Sequence, residues 1–357
     1  MSQPAIDTLW YTRCSVPTPF SFAAQFGWFE EEFAKDGIAV KSLRESNNPE
    51  ELASHFDHNL SNSFRQGGSV PAIWARSRGQ DTRVIALSWT DEHQAIIALP
   101  GAGIGTVRDL RGRRIGIPRH NITIDHNRAS ALRAFELALG FEGISLADVE
   151  LIDLADEHLP EDGEVRRGLS SGGERRHAYT NEVHALATRA VDAVYVKDVR
   201  GLDVAHILGA VVVADLGFHP DPFVRISNCA PRPLTVSGEL LRTRPDLVER
   251  FLARVVAAGE WARRNPDGTV RAIASETGWS ERSVRRSFGP NVHEHLIANL
   301  DPASIQGLGQ FVSYLAKNGF IPADFDVESW VDPGPLERLS ASLVPLNFGA
   351  PSIIAAA

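Results

Sequence analysis

Short apolar runs alternate with stretches of helical periodicity along most of this chain, and that alternation restricts the fold more than any other feature. The first unit is residues 7–36. Asp7-Thr8-Leu9-Trp10-Tyr11-Thr12-Arg13 reads as a strand, with apolar and aromatic residues bounded by polar ones. Cys14 follows it, then the punctuation Ser15-Val16-Pro17-Thr18-Pro19. A helix is expected from Phe20 or Ser21 to Asp36-Gly37, buried along Phe22, Phe26, Phe29 and Phe33, whose spacings of 4, 3 and 4 are helical. Gly37 would supply the left-handed cap.

The pattern repeats. Strands are expected at residues 38–43, 83–89, 94–99, 149–154, 191–196, within 206–217 and at 232–236, and residues 106–118 read as a short helical turn leading into a strand. Helices are expected around Ala72–Ala75, from Arg128 to Gly140, from Val183 to Arg189, and then almost continuously in Gly238–Leu241, Asp246–Asn265, Thr269–Thr277, Ser280–Phe288 and Ile305–Asn318. Strands alternating with helices predict an α/β fold. At 357 residues the chain exceeds one ordinary core, so two domains are expected. Residues 55–71 are polar and end in Gly67-Gly68, which reads as a loop or short helix with side chains to spare for a ligand. Glu161 to His177, centred on Ser170-Ser171-Gly172-Gly173, reads as a mobile loop, and its pairs Arg166-Arg167 and Arg175-Arg176 as a solvated face or as cations closing over an anion.

Charge and cysteine usage exclude several functions. The net charge of −9 argues against general nucleic-acid binding, and leaves room for a local cationic pocket. The segment Ala274-x3-Gly278-x-Ser280-x3-Val284 mimics a helix-turn-helix, and on this acidic background it reads as a helical hairpin. Two cysteines, Cys14 and Cys229, form no disulfide framework, although a single bridge is open. No run approaches 18 apolar residues, so no membrane span is expected. Met-Ser-Gln-Pro-Ala-Ile-Asp has neither a basic nor an apolar signal region, and a cytoplasmic location is the expectation.

Among chemical motifs, Cys14 stands out. A thiol between a strand and a helix can face a helix N-terminus, which favours the thiolate; the plain alternative is a buried, inert cysteine. His55-x-x-His58 with Cys14 lacks a fourth ligand in view, so no metal is expected. Gly101-x-Gly103-x-Gly105 lacks the following helix of a dinucleotide site and reads as an interlobe loop. His293-x-His295 does not share a helix face and reads as surface, and Cys229 as packed structure.

The run Thr106-Val107-Arg108-Asp109-Leu110-Arg111-Gly112-Arg113-Arg114-Ile115-Gly116 resembles the signature that opens the second lobe of the nitrate/sulfonate/taurine class of periplasmic solute-binding proteins. The resemblance implies a two-lobed type II periplasmic-binding-protein-like fold over nearly the whole chain. Residues 1–92 and 200–357 would form lobe 1, and 93–199 lobe 2. Within that fold a second resemblance is sharper. Cys14 is followed by Val16-Pro17, His55-Phe56 comes about 40 residues on, and Arg65 stands ten residues past His55 in Phe64-x-x-Gly67-Gly68. This is similar to the 2′-hydroxybiphenyl-2-sulfinate desulfinases, as are Arg244-Pro245-Asp246-Leu247-Val248 and Gly259-Glu260-Trp261-Ala262-Arg263.

That resemblance implies a cofactor-independent, cytoplasmic, monomeric enzyme releasing sulfite from an organic, aromatic sulfinate. Cys14 and His55 would be catalytic, with Arg65, Gly68, Gly67 and Phe56 at the substrate. Arg65 offers a planar fork for the two sulfinate oxygens, and Gly68 close backbone approach. Cys14 would attack sulfur as a thiolate or protonate the ring carbon as a general acid. The chain departs from the family near Asn127, where an aromatic residue is replaced, and after His55, where His58 and Leu60 stand for Tyr and Gln. The other functional class open to this fold is a binding protein for a sulfonate or another organic anion, without chemistry.

Overall fold

A computed structural model describes residues 6–14, 16–156 and 179–341. The expected loop 161–177, with its four arginines, lies outside the described residues. In chain order the first elements are β1 (Thr8–Arg13), α1 (Pro19–Gln25), α2 (Trp28–Ala34), β2 (Ala39–Ser42), α3 (Pro49–Asp57), β3 (Ser63–Gln66), α4 (Ser69–Ser77) and β4 (Thr82–Ser88). Then follow β5 (Gln94–Ala98), β6 (Arg114–Arg119), α5 (His126–Phe141), β7 (Glu150–Ala155), α6 (Thr180–Ala187), β8 (Ala193–Lys197), α7 (Asp198–Ile207) and β9 (Val211–Asp215). The chain closes with β10 (Arg232–Ser237), α8 (Gly238–Thr243), α9 (Pro245–Arg264), α10 (Pro266–Thr277), α11 (Glu281–Phe288), α12 (Pro302–Lys317) and α13 (Gly334–Ala341).

The strands form two five-stranded mixed sheets, in the orders β2-β1-β3-β10-β4 and β7-β6-β8-β5-β9. In the first, β1 pairs parallel with β2 and β3, and β10 enters antiparallel between β3 and β4. In the second, β6 pairs parallel with β7 and β8, and β5 lies antiparallel to β8 and β9. The α/β expectation therefore holds, with one returning strand in each sheet. Two compact units result. Unit 1 comprises 1–90, 229–285 and 290–357, and unit 2 comprises 91–228 and 286–289. The second crossing thus falls at Asn228/Cys229 and not at 199/200. The reason is β9, which pairs with β5 from Ala95↔Asp215 to Ala98↔Val211 and so ties residues up to 215 to the second sheet. The glycine run at 101–105 also lies within unit 2, so it is no interlobe loop.

Unit 1 is held by an aromatic core. Phe22, Phe26, Phe29 and Phe33 are all buried, as their spacing predicts. They do not share one helix, however. The helix breaks at Gly27, which sits at φ 71°, and restarts at Trp28. α9 supplies Phe251, whose ring stacks on Phe64 at 3.8 Å and on Phe29 at 3.9 Å. Phe251 is fully buried and joins β3, the strand carrying Arg65, to α2. Replacing Phe251 with Ala removes both stacks and leaves a cavity, so unfolding in urea should show a loss of about 3–5 kcal/mol.

In unit 2, one core cluster gathers Ile96, Ile115 and Ile117 with Phe135, Ala138 and Leu139 of α5. A second gathers Ala95, Ile97 and Val194 with Leu186 of α6 and Ala205 of α7. Helices thus cover both faces of the sheet, which explains why its strands read as continuous apolar runs. The helices α7 and α13, and α3 up to Ser54, were not visible in the sequence. The segment read as a loop or short helix at 55–71 contains the end of α3, all of β3, which was not expected, and the start of α4. The helical hairpin reading at 274–284 matches α10 and α11, joined across Gly278 at φ 74°. Neither cysteine is in a disulfide. No helix among the described residues is long and apolar enough to cross a membrane.

Candidate active site

β-Strand geometry assembles the site. Side chains two residues apart on a strand share a face. Thr12 on β1 pairs in register with Arg65 on β3, and Thr235 on β10 pairs with Arg65 from the other side. Two residues further on, just past the ends of their strands, come Cys14 and Gly67. These two are in direct apposition. A Cβ built on Gly67 would lie 2.7 Å from Cys14 Sγ and 3.6 Å from Arg65 Nη2. The thiol, the guanidinium and the bare glycine backbone therefore meet around one point.

Arg65 is 4% exposed, yet no acid among the described residues is paired with it. Two of its nitrogens are tied to backbone. Nε donates to the His55 carbonyl at 3.3 Å, and Nη1 to the Gly68 carbonyl at 3.0 Å. The remaining nitrogen, Nη2, is buried and has no hydrogen-bond partner among the described residues. It is the nitrogen that lies 3.6 Å from a Cβ built on Gly67, the position Cys14 Sγ also approaches. Burial pulls the guanidinium down from its ordinary value, and the charge of a nearby Cys14 thiolate opposes that shift. A buried cation with an orphan donor requires an acceptor, and an anion fits. The neighbouring Arg13 is not available for this, because it is paired with Glu276.

Gly67 is buried and does not occupy the left-handed region, so its need for glycine is steric. The expected role of Gly68 shifts: it is the N-cap of α4, and its carbonyl anchors Arg65. Cys14 is partly exposed, not buried. Gly67→Ala adds a methyl group where Cys14 Sγ already sits, without straining φ. It should displace the thiol, and alkylation of Cys14 by iodoacetamide should change in rate by about tenfold while thermal unfolding shifts by no more than about 1–3 kcal/mol.

His55 lies in the last turn of α3. Its ring Nδ1 is 2.6 Å from Thr12 Oγ1, a buried contact. Phe56 packs edge-on against the same ring, with centroids 4.8 Å apart and planes at 86°. His58 caps α3 in the left-handed conformation, φ 54°. It is buried, and desolvation, together with the charges of Arg65 and His55, holds it well below the usual imidazole range. Thr12 was missed in the sequence, where it read only as a polar residue in a strand; its position two before Cys14 was the available signal. The structure thus joins Cys14, Arg65, Gly67 and Gly68 directly, and His55 and Phe56 through Arg65 and Thr12. Among the described residues no group of three or more His, Cys, Asp or Glu could hold a metal ion.

Residues 16–161 match the family model described as NMT1/THI5 like. The chain is 26% identical over 355 residues to the 2′-hydroxybiphenyl-2-sulfinate desulfinase of Rhodococcus erythropolis, with 92% of each chain covered. A solved structure of the desulfinase DSZB, a cysteine-to-serine mutant in complex with biphenyl-2-sulfinic acid, superimposes with a TM-score of 0.74 at 23% identity, covering 95% of this chain and 100% of that one. The periplasmic aliphatic sulphonate binding protein SsuA from Escherichia coli does so with a TM-score of 0.62 at 13% identity, covering 92% of each. The fold is therefore that of the periplasmic sulfonate-binding proteins, and the sequence resembles the desulfinases over nearly its whole length.

Proposed function

We propose that this chain is a desulfinase, which breaks the carbon–sulfur bond of an organic sulfinate and releases sulfite. The observation that carries the reading is the placement around Gly67 of Cys14 Sγ and of Arg65 Nη2, which has no hydrogen-bond partner among the described residues. A passive binder of sulfonates has use for the cation and the open backbone, and none for the thiol. The desulfinase relative over 92% of both chains supports the same conclusion, and the relative solved with biphenyl-2-sulfinic acid points to an aromatic sulfinate.

The net reaction is R–SO2⁻ + H2O → R–H + HSO3⁻, a hydrolysis. Arg65 Nη2 would hold one sulfinate oxygen, fixed because Nε and Nη1 are already occupied by the His55 and Gly68 carbonyls. The absence of a side chain at Gly67 leaves the anion room against backbone. Cys14 then acts by one of two balanced routes. As a general acid, its thiol gives a proton to the carbon bearing sulfur; the C–S bond breaks, SO2 leaves, and hydration to HSO3⁻ returns a proton to the thiolate. As a nucleophile, the thiolate forms an S–S bond to the sulfinate sulfur while the carbon takes a proton; water then cleaves the enzyme-bound S–SO2⁻ to thiol and HSO3⁻. His55 would carry the proton to or from the thiol.

The test is sulfite release from a panel of sulfinates: 2′-hydroxybiphenyl-2-sulfinate, smaller aryl and alkenyl sulfinates, and hypotaurine. Turnover of an aryl member is the expected outcome. No sulfite from any member, with tight binding of one organic anion by calorimetry, would establish the second reading, a binding protein, which the sulfonate-binding neighbours of this fold favour.

A further inference from the structure

Behind the row of Thr12, Arg65 and Thr235 lies a cavity lined by these three together with Ser54, His58 and Ser63. The space it leaves for the centre of a water-sized sphere is about 10 Å³, close to what one water molecule needs. The lining is polar, as an internal water requires. One of its groups is unsatisfied: Nε2 of His58, on a side chain 7% exposed, has no hydrogen-bond partner among the described residues. The Thr12 hydroxyl has its one side-chain contact among those residues with Nδ1 of His55, at 2.6 Å.

A hydroxyl has one hydrogen to give. If Thr12 gives it to His55 Nδ1, the imidazole must carry its proton on Nε2 and can only donate there. If Thr12 gives it elsewhere, Thr12 accepts from Nδ1–H, and Nε2 is left bare and able to take a proton from a thiol. The cavity supplies the elsewhere. We propose that one internal water, held between the Thr12 hydroxyl and His58 Nε2, fixes His55 in the tautomer with Nδ1 protonated, making Thr12 and His58 positioning residues for the proton step at Cys14. The water accepts from Thr12 and donates to His58, which carries its own proton on Nδ1. His58 can keep that acceptor role because it stays neutral: burial, Arg65 and His55 all oppose its charging. A cation in this cavity is disfavoured, since Arg65 lines it and no acid does.

The inference about catalysis rests on the desulfinase reading; the tautomer itself does not. It is read by nitrogen NMR of the full chain labelled with 15N-histidine, with His55 assigned by its loss in His55→Gln. The expected spectrum shows His55 Nδ1 protonated and Nε2 bare at neutral pH. Thr12→Val and His58→Leu should each raise the share of the Nε2-protonated form, and Thr12→Ser should restore the wild-type pattern. In sulfite release, Thr12→Val should lower kcat by about tenfold or more with KM changed by less than about threefold, and Thr12→Ser should recover it. A wild-type Nε2-protonated His55, or a tautomer unmoved by both Thr12→Val and His58→Leu, overturns the proposal. Circular dichroism separates these outcomes from misfolding, and Thr12→Ser keeps the test open if Thr12→Val does not fold. Absence of sulfite from the wild type, with the tautomers as expected, would overturn the desulfinase reading and the catalytic role while leaving the water and the tautomer standing.

Discussion

Cys14→Ser should lower sulfite release by about 100- to 10,000-fold if the thiol is a general acid, because a serine hydroxyl is a far weaker acid and the carbon must then be protonated by water. The loss should be larger, up to about a millionfold, if the thiolate is a nucleophile, since nothing else in the site can form the bond to sulfur. Binding should survive in either case. Arg65 is anchored by the carbonyls of His55 and Gly68 and does not depend on the thiol for its position. Calorimetry with an unreactive aryl sulfonate should therefore give affinities within a few-fold of wild type. Rapid quenching of wild type and mass analysis separates the two routes. An adduct with the mass of SO2 on the peptide carrying Cys14 establishes the nucleophile, and its absence during turnover favours the acid. Undiminished sulfite release from Cys14→Ser would remove the thiol from the mechanism altogether.

Arg65→Ala is expected to have the second largest effect, on affinity and stability together. The substrate anion loses a charge-assisted donor in a buried setting, and truncation at such a contact costs about 2–5 kcal/mol. In kcat/KM this is about 30- to 5,000-fold. The His55 and Gly68 carbonyls lose their donors as well, at a cost of about 1–3 kcal/mol in urea unfolding. Arg65→Lys separates the two roles. A single ammonium keeps the charge, and it lacks the fork that serves two carbonyls and an anion at once. It should restore part of the stability and little of the affinity. Affinity for sulfinates unchanged in both variants would place the anion elsewhere.

Much of the fold was legible because it depends on apolar burial. The strands of unit 2 are covered on both faces and read as unbroken runs, as at Gln94–Ala98 and Ala193–Lys197. What was not legible broke a local rule for a local reason. β3 is four residues long and carries Arg65 and Gln66 inside a buried sheet, so its composition reads as a loop. A buried cation in a central strand violates the pattern that identifies central strands. The Phe22–Phe33 stripe predicted burial correctly and continuity wrongly, because the left-handed Gly27 lets two helices bury one stripe. α7 opens on Asp198 at φ 58°, a left-handed conformation uncommon outside glycine and not signalled by the sequence pattern. In the site, Cys14, Arg65 and Gly67 were visible as residue types at a characteristic spacing. The division of labour between Gly67 and Gly68, and the contact of Thr12 with His55, required the register of β1 against β3.

The order β2-β1-β3-β10-β4 has a consequence for how the chain is made. β4 ends at Ser88, yet its ladder partner β10 begins at Arg232. On a ribosome, β4 emerges with the apolar run Val84-Ile85-Ala86-Leu87 and waits for about 140 further residues before it can pair. The second sheet has no such wait. All five of its strands lie between Gln94 and Asp215, so it can close before β10 is synthesised. The inserted unit is therefore positioned to fold first, and the unit that carries Cys14 and Arg65 last. Until then an unpaired apolar edge stays open to association with other chains. Expression yield and inclusion-body formation should respond to polar substitutions in β4 more than to equal changes in β5.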